Sequence, residues 1–212
     1  AAIRGAQLGM KVACVEKGGL GGTCLNVGCI PSKALLESSH LYYQAHSTFS
    51  KHGITTGEVT LDLAAMLKRK DGIVGRMTGG IRGLFRKNKV THLQGLGKVA
   101  GSGTVEVVDG KDAGTYSAKH IVIATGSSPV ELPFLPFDGE HVVSSTEALT
   151  FETVPERMIV IGAGAIGLEL GSVWSRLGTK VLVIELLDQI CAGMDKEMSS
   201  ELQKSLSKQG LT

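Results

Sequence analysis

Hydrophobic and polar positions along the chain fall into two kinds of segment, one repeating at helical spacing and one at strand spacing. Residues 1–8 carry an apolar stripe at helical spacing and stop at Gly9. Residues 12–16 form a short apolar run closing on Glu16, the pattern of a buried parallel strand. Residues 30–46 repeat as a helix, with Pro31 tolerated in the first turn. A longer helical pattern covers residues 61–88 and is expected to break or loosen at Gly79-Gly80, two adjacent residues of poor helix propensity. Residues 90–99, 104–108 and 120–124 then cluster Val, Ile and Thr between turns such as Asp109-Gly110, and strands are expected there.

Residues 127–153, with Pro129, Pro133 and Pro136, read as a connecting segment, which suggests a domain boundary near residue 150. A fresh pattern follows: strand 158–161, helix 165–177, strand 180–184, helix 196–209. The predicted fold class is α/β, with two Rossmann-like nucleotide-binding domains on parallel sheets, residues 1–150 and 151–212. Two strands do not complete a sheet domain, so the second domain is expected to be cut short.

Composition agrees with that class. The 212 residues include 29 glycines and only 4% aromatics, while hydrophobic residues make up 42%. Glycines at tight strand-to-helix turns are a habit of nucleotide-binding α/β folds. The net charge of +2 is too balanced to argue for nucleic acid. The basic stretch Lys68-Arg69-Lys70, continued by Arg76, Arg82, Arg86, Lys87 and Lys89, is expected to be a solvated helix face. No run of about 18 apolar residues calls for a membrane-spanning helix.

Residues 159–167 read strand, then Gly-x-Gly-x-x-Gly, then helix. In that context Gly162 makes the tight turn, Gly164 and Ile166 bring backbone to a pyrophosphate, and Gly167 lets helix and strand pack closely. The helix start supplies free N–H groups and the positive end of its dipole. Glu185 ends the next strand, about 20 residues on, where an acid binds a ribose 2′-hydroxyl. Leu186, Leu187 and Asp188 follow without a base, so NAD is favoured over NADP.

The remaining chemistry lies in residues 21–33, Gly-Gly-Thr-Cys-Leu-Asn-Val-Gly-Cys-Ile-Pro-Ser-Lys. Cys24 and Cys29 enter a helix, whose N-terminus favours thiolates. Metal binding lacks partners at ligand spacing. Cys14 inside a strand is read as a small core residue, Cys191 is assigned nothing, and none of the six histidines is read as catalytic.

This segment resembles the redox-active disulfide region of the pyridine nucleotide–disulfide oxidoreductases. The likeness extends to the Ala-Gln-Leu-Gly helix end, Glu16, the Ala124-Thr125-Gly126-Ser127 turn and residues 162–169. It implies that Cys24 exchanges with a dithiol substrate, that Cys29 faces a flavin, and that Lys33 sits at the flavin's reactive edge, paired with Glu169. It further implies FAD contacts at Glu16, Lys17, Gly21, Gly22, Thr23, Gly97, Thr125, Gly126 and Ser127. The resemblance implies a member that passes electrons from protein-bound dihydrolipoamide to NAD⁺ through FAD. Its implied setting is the mitochondrial matrix. There a homodimer serves the lipoyl domains of 2-oxo acid dehydrogenase complexes or of the glycine cleavage system.

The resemblance also implies parts beyond this sequence. A first FAD-binding strand with its own glycine loop would precede Ala1, and a dimerisation domain carrying a His–Glu base would follow Thr212. The isolated chain is therefore expected to bind FAD poorly and to be inactive. Rival members are mercuric, glutathione and thioredoxin reductases. The last two usually carry lysine where Ser32 stands, and all three favour NADPH, against Glu185. A non-catalytic fragment serving only as a binding module is the alternative of a different class.

Overall fold

The computed structural model describes all residues, 1–212. In chain order the elements are α1 (Ala2–Gln7), β1 (Ala13–Glu16), α2 (Gly22–Val27), α3 (Cys29–Ser47), α4 (Leu63–Lys87), β2 (Thr91–Gln94), β3 (Gly97–Gly101), β4 (Thr104–Val107) and β5 (Gly114–Ser117). After a long irregular stretch come β6 (Arg157–Ile161), α5 (Ala165–Arg176), β7 (Lys180–Ile184) and α6 (Lys196–Lys208). Two compact units emerge. One comprises Ala1–Asn26 with Val74–Ser128, the other Val27–Ile73 with Pro129–Thr212. This division by compactness follows a different line from the nucleotide-domain boundary expected near residue 150. No helix is long and apolar enough to cross a membrane.

In the first unit β1 and β2 pair in parallel, from Ala13 opposite Thr91 to Glu16 opposite Gln94. Leu20, Phe85 and Val90 form the core beside them, joined by Ile3, Val12, Cys14 and Ile81. A separate antiparallel sheet in the order β3-β4-β5 completes the unit.

In the second unit β6 and β7 pair in parallel over five positions, Arg157–Ile161 against Lys180–Ile184. Helix α5 between them is apolar on two sides, and each side has a use. Leu168 packs with Ala163, Val181, Leu206 and Leu211 in one core. Leu170, Val173, Trp174 and Leu177 pack with Leu35 of α3, Met66 of α4, Ala148 and Leu149 in another. Full burial of side chains of this size stabilises by roughly 1.5–3 kcal/mol each. Trp174 is 0% exposed, and its indole N–H is satisfied by the Ala148 carbonyl at 3.0 Å. Asp195 caps α6, accepting from the backbone N–H of Glu197 and of Met198.

Three expectations fail. Helix α4 runs unbroken through Gly79-Gly80. A mid-helix glycine costs only about 1 kcal/mol relative to alanine, less than the surrounding turns and the packed Met66 and Phe85 supply. Residues 120–124 form no strand: a strand needs a partner's ladder, none is hydrogen-bonded there, and Val122 and Ile123 stand exposed. Instead β5, with no apolar period of its own, pairs with β4 from Ser117 opposite Thr104. Lys70 departs from the solvated face: it is 4% exposed, with its ammonium on the Leu149 carbonyl at 3.0 Å and on Asp71 at 3.0 Å. The long aliphatic stem suits the core around Met66 and Leu149, and the carbonyl and carboxylate satisfy the buried head.

Candidate functional site

The Gly-x-Gly-x-x-Gly loop joins β6 to α5. Gly162 has φ +101, a conformation that side chains rarely adopt. A Cβ on Gly167 would overlap the Gly162 carbonyl and come within 2.9 Å of Val160. A Cβ on Gly164 would meet nothing, so the backbone there is open to an approaching group. Glu185 lies just past β7, and its carboxylate accepts from the Ala163 N–H at 2.7 Å and the Leu187 N–H at 3.0 Å. The Leu187 and Ala163 backbone bonds hold this exposed carboxyl below the usual carboxylate range. A groove beside it is lined by Ala163, Val183, Glu185, Leu187 and Gln203. The N–H groups at the start of α5, the open backbone at Gly164 and an ionised acid 22 residues beyond Ala163 fit an adenine dinucleotide.

In the first unit Glu16 occupies a similar place as the last residue of β1, accepting from the Gly18 N–H at 2.8 Å. The carbonyls of the glycine-rich loop at residues 18–22 are held by one side chain, Asn26. Its amide donates to the carbonyls of Gly19 at 3.0 Å, Leu20 at 3.4 Å and Gly22 at 3.0 Å. Thr23 donates to the Ser127 carbonyl at 3.4 Å, and Gly126, at φ +79, lies where a Cβ would sit 3.0 Å from the Thr23 hydroxyl. Gly97 opens β3 against Val15 of β1. Glu16, Thr23, Gly97, Gly126 and Ser127 thus belong to one compact unit, with exposed glycines at 21 and 22 between them. That combination of a backbone-anchored acid and a bare loop fits a second nucleotide of the flavin type. Lys17 and Thr125 lie in the same unit, and neither has a side-chain bond.

Cys24 and Cys29 are joined in a disulfide. Cys29 is the first residue of the long helix α3, and Gly28 precedes it. One turn on, the Lys33 ammonium meets both oxygens of Glu169 on α5, at 2.6 and 2.7 Å. Ser32, 7% exposed, has its hydroxyl 3.1 Å from the Cys29 carbonyl and 3.4 Å from Glu169 Oε2. Nothing in the sequence pattern alone gives Asn26 or Ser32 a role. Their role is visible only once the loop carbonyls and Glu169 are placed in space. Cys14, half-buried in β1, has its thiol pushed up by burial and by Glu16, as a small core residue would. Cys191 takes a left-handed backbone, φ +49, beside the α6 core.

A strand–glycine-loop–helix with its acid, a second backbone-anchored acid, and a disulfide at a helix start are the features by which the chain's family is recognised. The pyridine nucleotide-disulphide oxidoreductase family model matches residues 1–212, and the chain belongs to that family. The mitochondrial dihydrolipoyl dehydrogenase of Pisum sativum is 50% identical over 100% of this chain and 42% of its own length. That of Dictyostelium discoideum is 55% identical, over 99% of this chain and 43% of its own. The leghemoglobin reductase of Vigna unguiculata is 51% identical, over 100% of this chain and 41% of its own. The chain therefore spans under half the length of these curated relatives. Among solved structures, the copper(II) complex of the HOCl-induced flavoprotein disulfide reductase RclA from Escherichia coli superposes with a TM-score of 0.79. It is 22% identical, over 99% of this chain and 44% of that one, a likeness of fold.

Proposed function

We propose that the protein containing this chain is an FAD-dependent dihydrolipoyl dehydrogenase that passes electrons from protein-bound dihydrolipoamide to NAD⁺. The observation that carries the reading is the Cys24–Cys29 disulfide at the start of α3, one turn ahead of the Lys33–Glu169 pair. Residues 1–150 would serve FAD and residues 151–212 NAD.

The protein's own chemistry is thiol–disulfide exchange. One thiolate of the substrate attacks Cys24 Sγ, the Cys24–Cys29 bond breaks, and the electron pair leaves on Cys29 as a thiolate. The second substrate thiol, having lost its proton, attacks its partner sulfur in the mixed disulfide. Cyclic lipoamide is released and the Cys24 thiolate is freed. The substrate has lost two electrons and the cysteine pair has gained them. When bound, FAD and NAD⁺ supply the hydride chemistry that restores the disulfide.

Other residues hold and orient. Glu16, Lys17, Gly21, Gly22, Thr23, Gly97, Thr125, Gly126 and Ser127 would hold FAD, with Lys33 offering a cation where negative charge develops on reduction. Gly162, Gly164, Ile166, Gly167 and Glu185 would hold NAD. An ionised Glu185 accepts a ribose hydroxyl and repels a 2′-phosphate, which selects NAD over NADP. By the company of its relatives the protein acts in the mitochondrial matrix, as a homodimer. Its partners there are the lipoyl domains of 2-oxo acid dehydrogenase complexes or of the glycine cleavage system.

The test uses the full-length protein. Dihydrolipoamide oxidation with NAD⁺ is compared with glutathione reduction with NADPH, in wild type and Cys24→Ser. NAD-linked activity lost in the variant supports the reading. NADPH-linked activity overturns the substrate and the role of Glu185. A protein with no flavin and neither activity is a binding module.

A further inference from the structure

Ser32 is buried, and its single hydroxyl hydrogen faces two acceptors, the Cys29 carbonyl at 3.1 Å and Glu169 Oε2 at 3.4 Å. Both oxygens of Glu169 already receive the Lys33 ammonium, at 2.6 and 2.7 Å. Ser32 is the one neutral side-chain donor on that carboxylate, and it also touches the backbone of a redox cysteine. We propose that Ser32 is a positioning residue: its hydroxyl shares the load on Glu169 so that the Lys33 charge is not wholly spent on it. The one hydrogen is divided between Glu169 and the Cys29 carbonyl, so what leaves one acceptor serves the other. This rests on the flavin-and-dithiol reading above.

The electrostatics give the sign. A carboxylate with fewer donors draws more of its one remaining cation and leaves more uncompensated negative charge nearby. Reduction of a bound flavin adds electron density, which a cation favours and an uncompensated carboxylate opposes. Removing the hydroxyl should therefore make flavin reduction less favourable. The helix itself should not suffer, because alanine is the better helix former and the change removes a single oxygen.

The experiment measures the flavin midpoint potential of the full-length flavoprotein by dye equilibration, alongside its thermal midpoint. Ser32→Ala should weaken flavin reduction roughly threefold in equilibrium constant, a fall of ~15 mV for a two-electron couple. Ser32→Thr, which keeps the hydroxyl, should return the potential to that of wild type. With Glu169→Gln already present, Ser32→Ala should shift it no further. A second comparison is Ser32→Thr against Ser32→Val, which differ only in hydroxyl against methyl. It gives the same reading if alanine leaves too little folded protein.

A changed thermal midpoint with an unmoved potential would make Ser32 purely structural and overturn the proposal. An equal shift with and without Glu169 would overturn it too. A wild type that binds no flavin or leaves dihydrolipoamide untouched would remove the functional reading itself, and the two failures are told apart by that control.

Discussion

Lys33 and Glu169, 136 residues apart in the chain, meet through one ammonium and both carboxylate oxygens at 2.6 and 2.7 Å. Helices α3 and α5 pack side by side to bring them together. The lysine is 58% exposed and the glutamate 31%, so water screens the pair. Its removal should cost stability no more than about 1 kcal/mol. Lys33→Ala in the full-length flavoprotein should nevertheless slow flavin reduction by dihydrolipoamide by about 10²-fold, the scale on which a positioned charge acts in transition states. Stopped-flow absorbance and denaturant unfolding check the two halves. Equal losses in both would reduce the pair to a structural clasp.

Glu185 should set nucleotide choice. Glu185→Ser should weaken NAD⁺ binding by roughly tenfold or more, the loss of one charge-assisted hydrogen bond of ~1.5–3 kcal/mol, and narrow the preference over NADP⁺. The two KM values measure it.

The same carboxyl predicts a pH dependence. Its folded pKa is depressed by the Leu187 and Ala163 N–H groups, so the ionised form persists below the free value of about 4.3. Any stability that its ionisation lends the loop is present above that free value and lost as pH falls through the depressed one. NAD⁺ affinity, read by fluorescence titration, should therefore show no break from this group between pH 5 and pH 8, an acid-side window estimated from free carboxylate values. A break near pH 6 would contradict the arrangement.

Trp174 should be the costliest single residue to truncate. It is 0% exposed, packs on Phe151 with ring centroids 5.2 Å apart, and donates to Ala148. Trp174→Ala should destabilise by about 3–5 kcal/mol. Trp174→Phe, which leaves the Ala148 carbonyl unpaired, should cost roughly 1–3 kcal/mol. Urea unfolding would rank them, and a reversed order would mean that the indole fits its pocket poorly.

The oxidised chain should hold its disulfide in one tryptic region. Peptide mapping without reductant should show Cys24 linked to Cys29 and leave Cys14 and Cys191 open to alkylation under denaturing conditions. A link to Cys14 or Cys191 would refute the pairing.

What the sequence showed and what it hid follow one physical line. Strand β7 is legible from its unbroken apolar run, Val181 to Ile184, the pattern of a parallel strand, although only Val181 of the four is buried. The glycine loop and Glu185 are legible because a tight strand-to-helix turn, with Gly162 at φ +101 and Glu185 accepting from the Ala163 N–H, fixes residue types at fixed spacing. By contrast β5 was invisible and residues 120–124 misled, since strand formation depends on a partner elsewhere in the chain. Lys70 misled for a similar reason: its charge argued for water, but Leu149, 79 residues away, supplies the acceptor. Asn26 and Ser32 were in view without a role, because a hydrogen bond to a loop carbonyl or to a neighbouring helix leaves no periodic trace.

Helix α4 passes through Gly72, Gly75, Gly79, Gly80 and Gly83, and at none of them would an added methyl meet another atom. The amide groups along this stretch are shielded by no side chain of their own residue. They should be among the first in the helix to trade hydrogen for deuterium, and alanine at these positions should slow that exchange while crowding nothing. A helix so bare is held by its ends, and its middle is the place where the molecule can be stiffened without touching its chemistry.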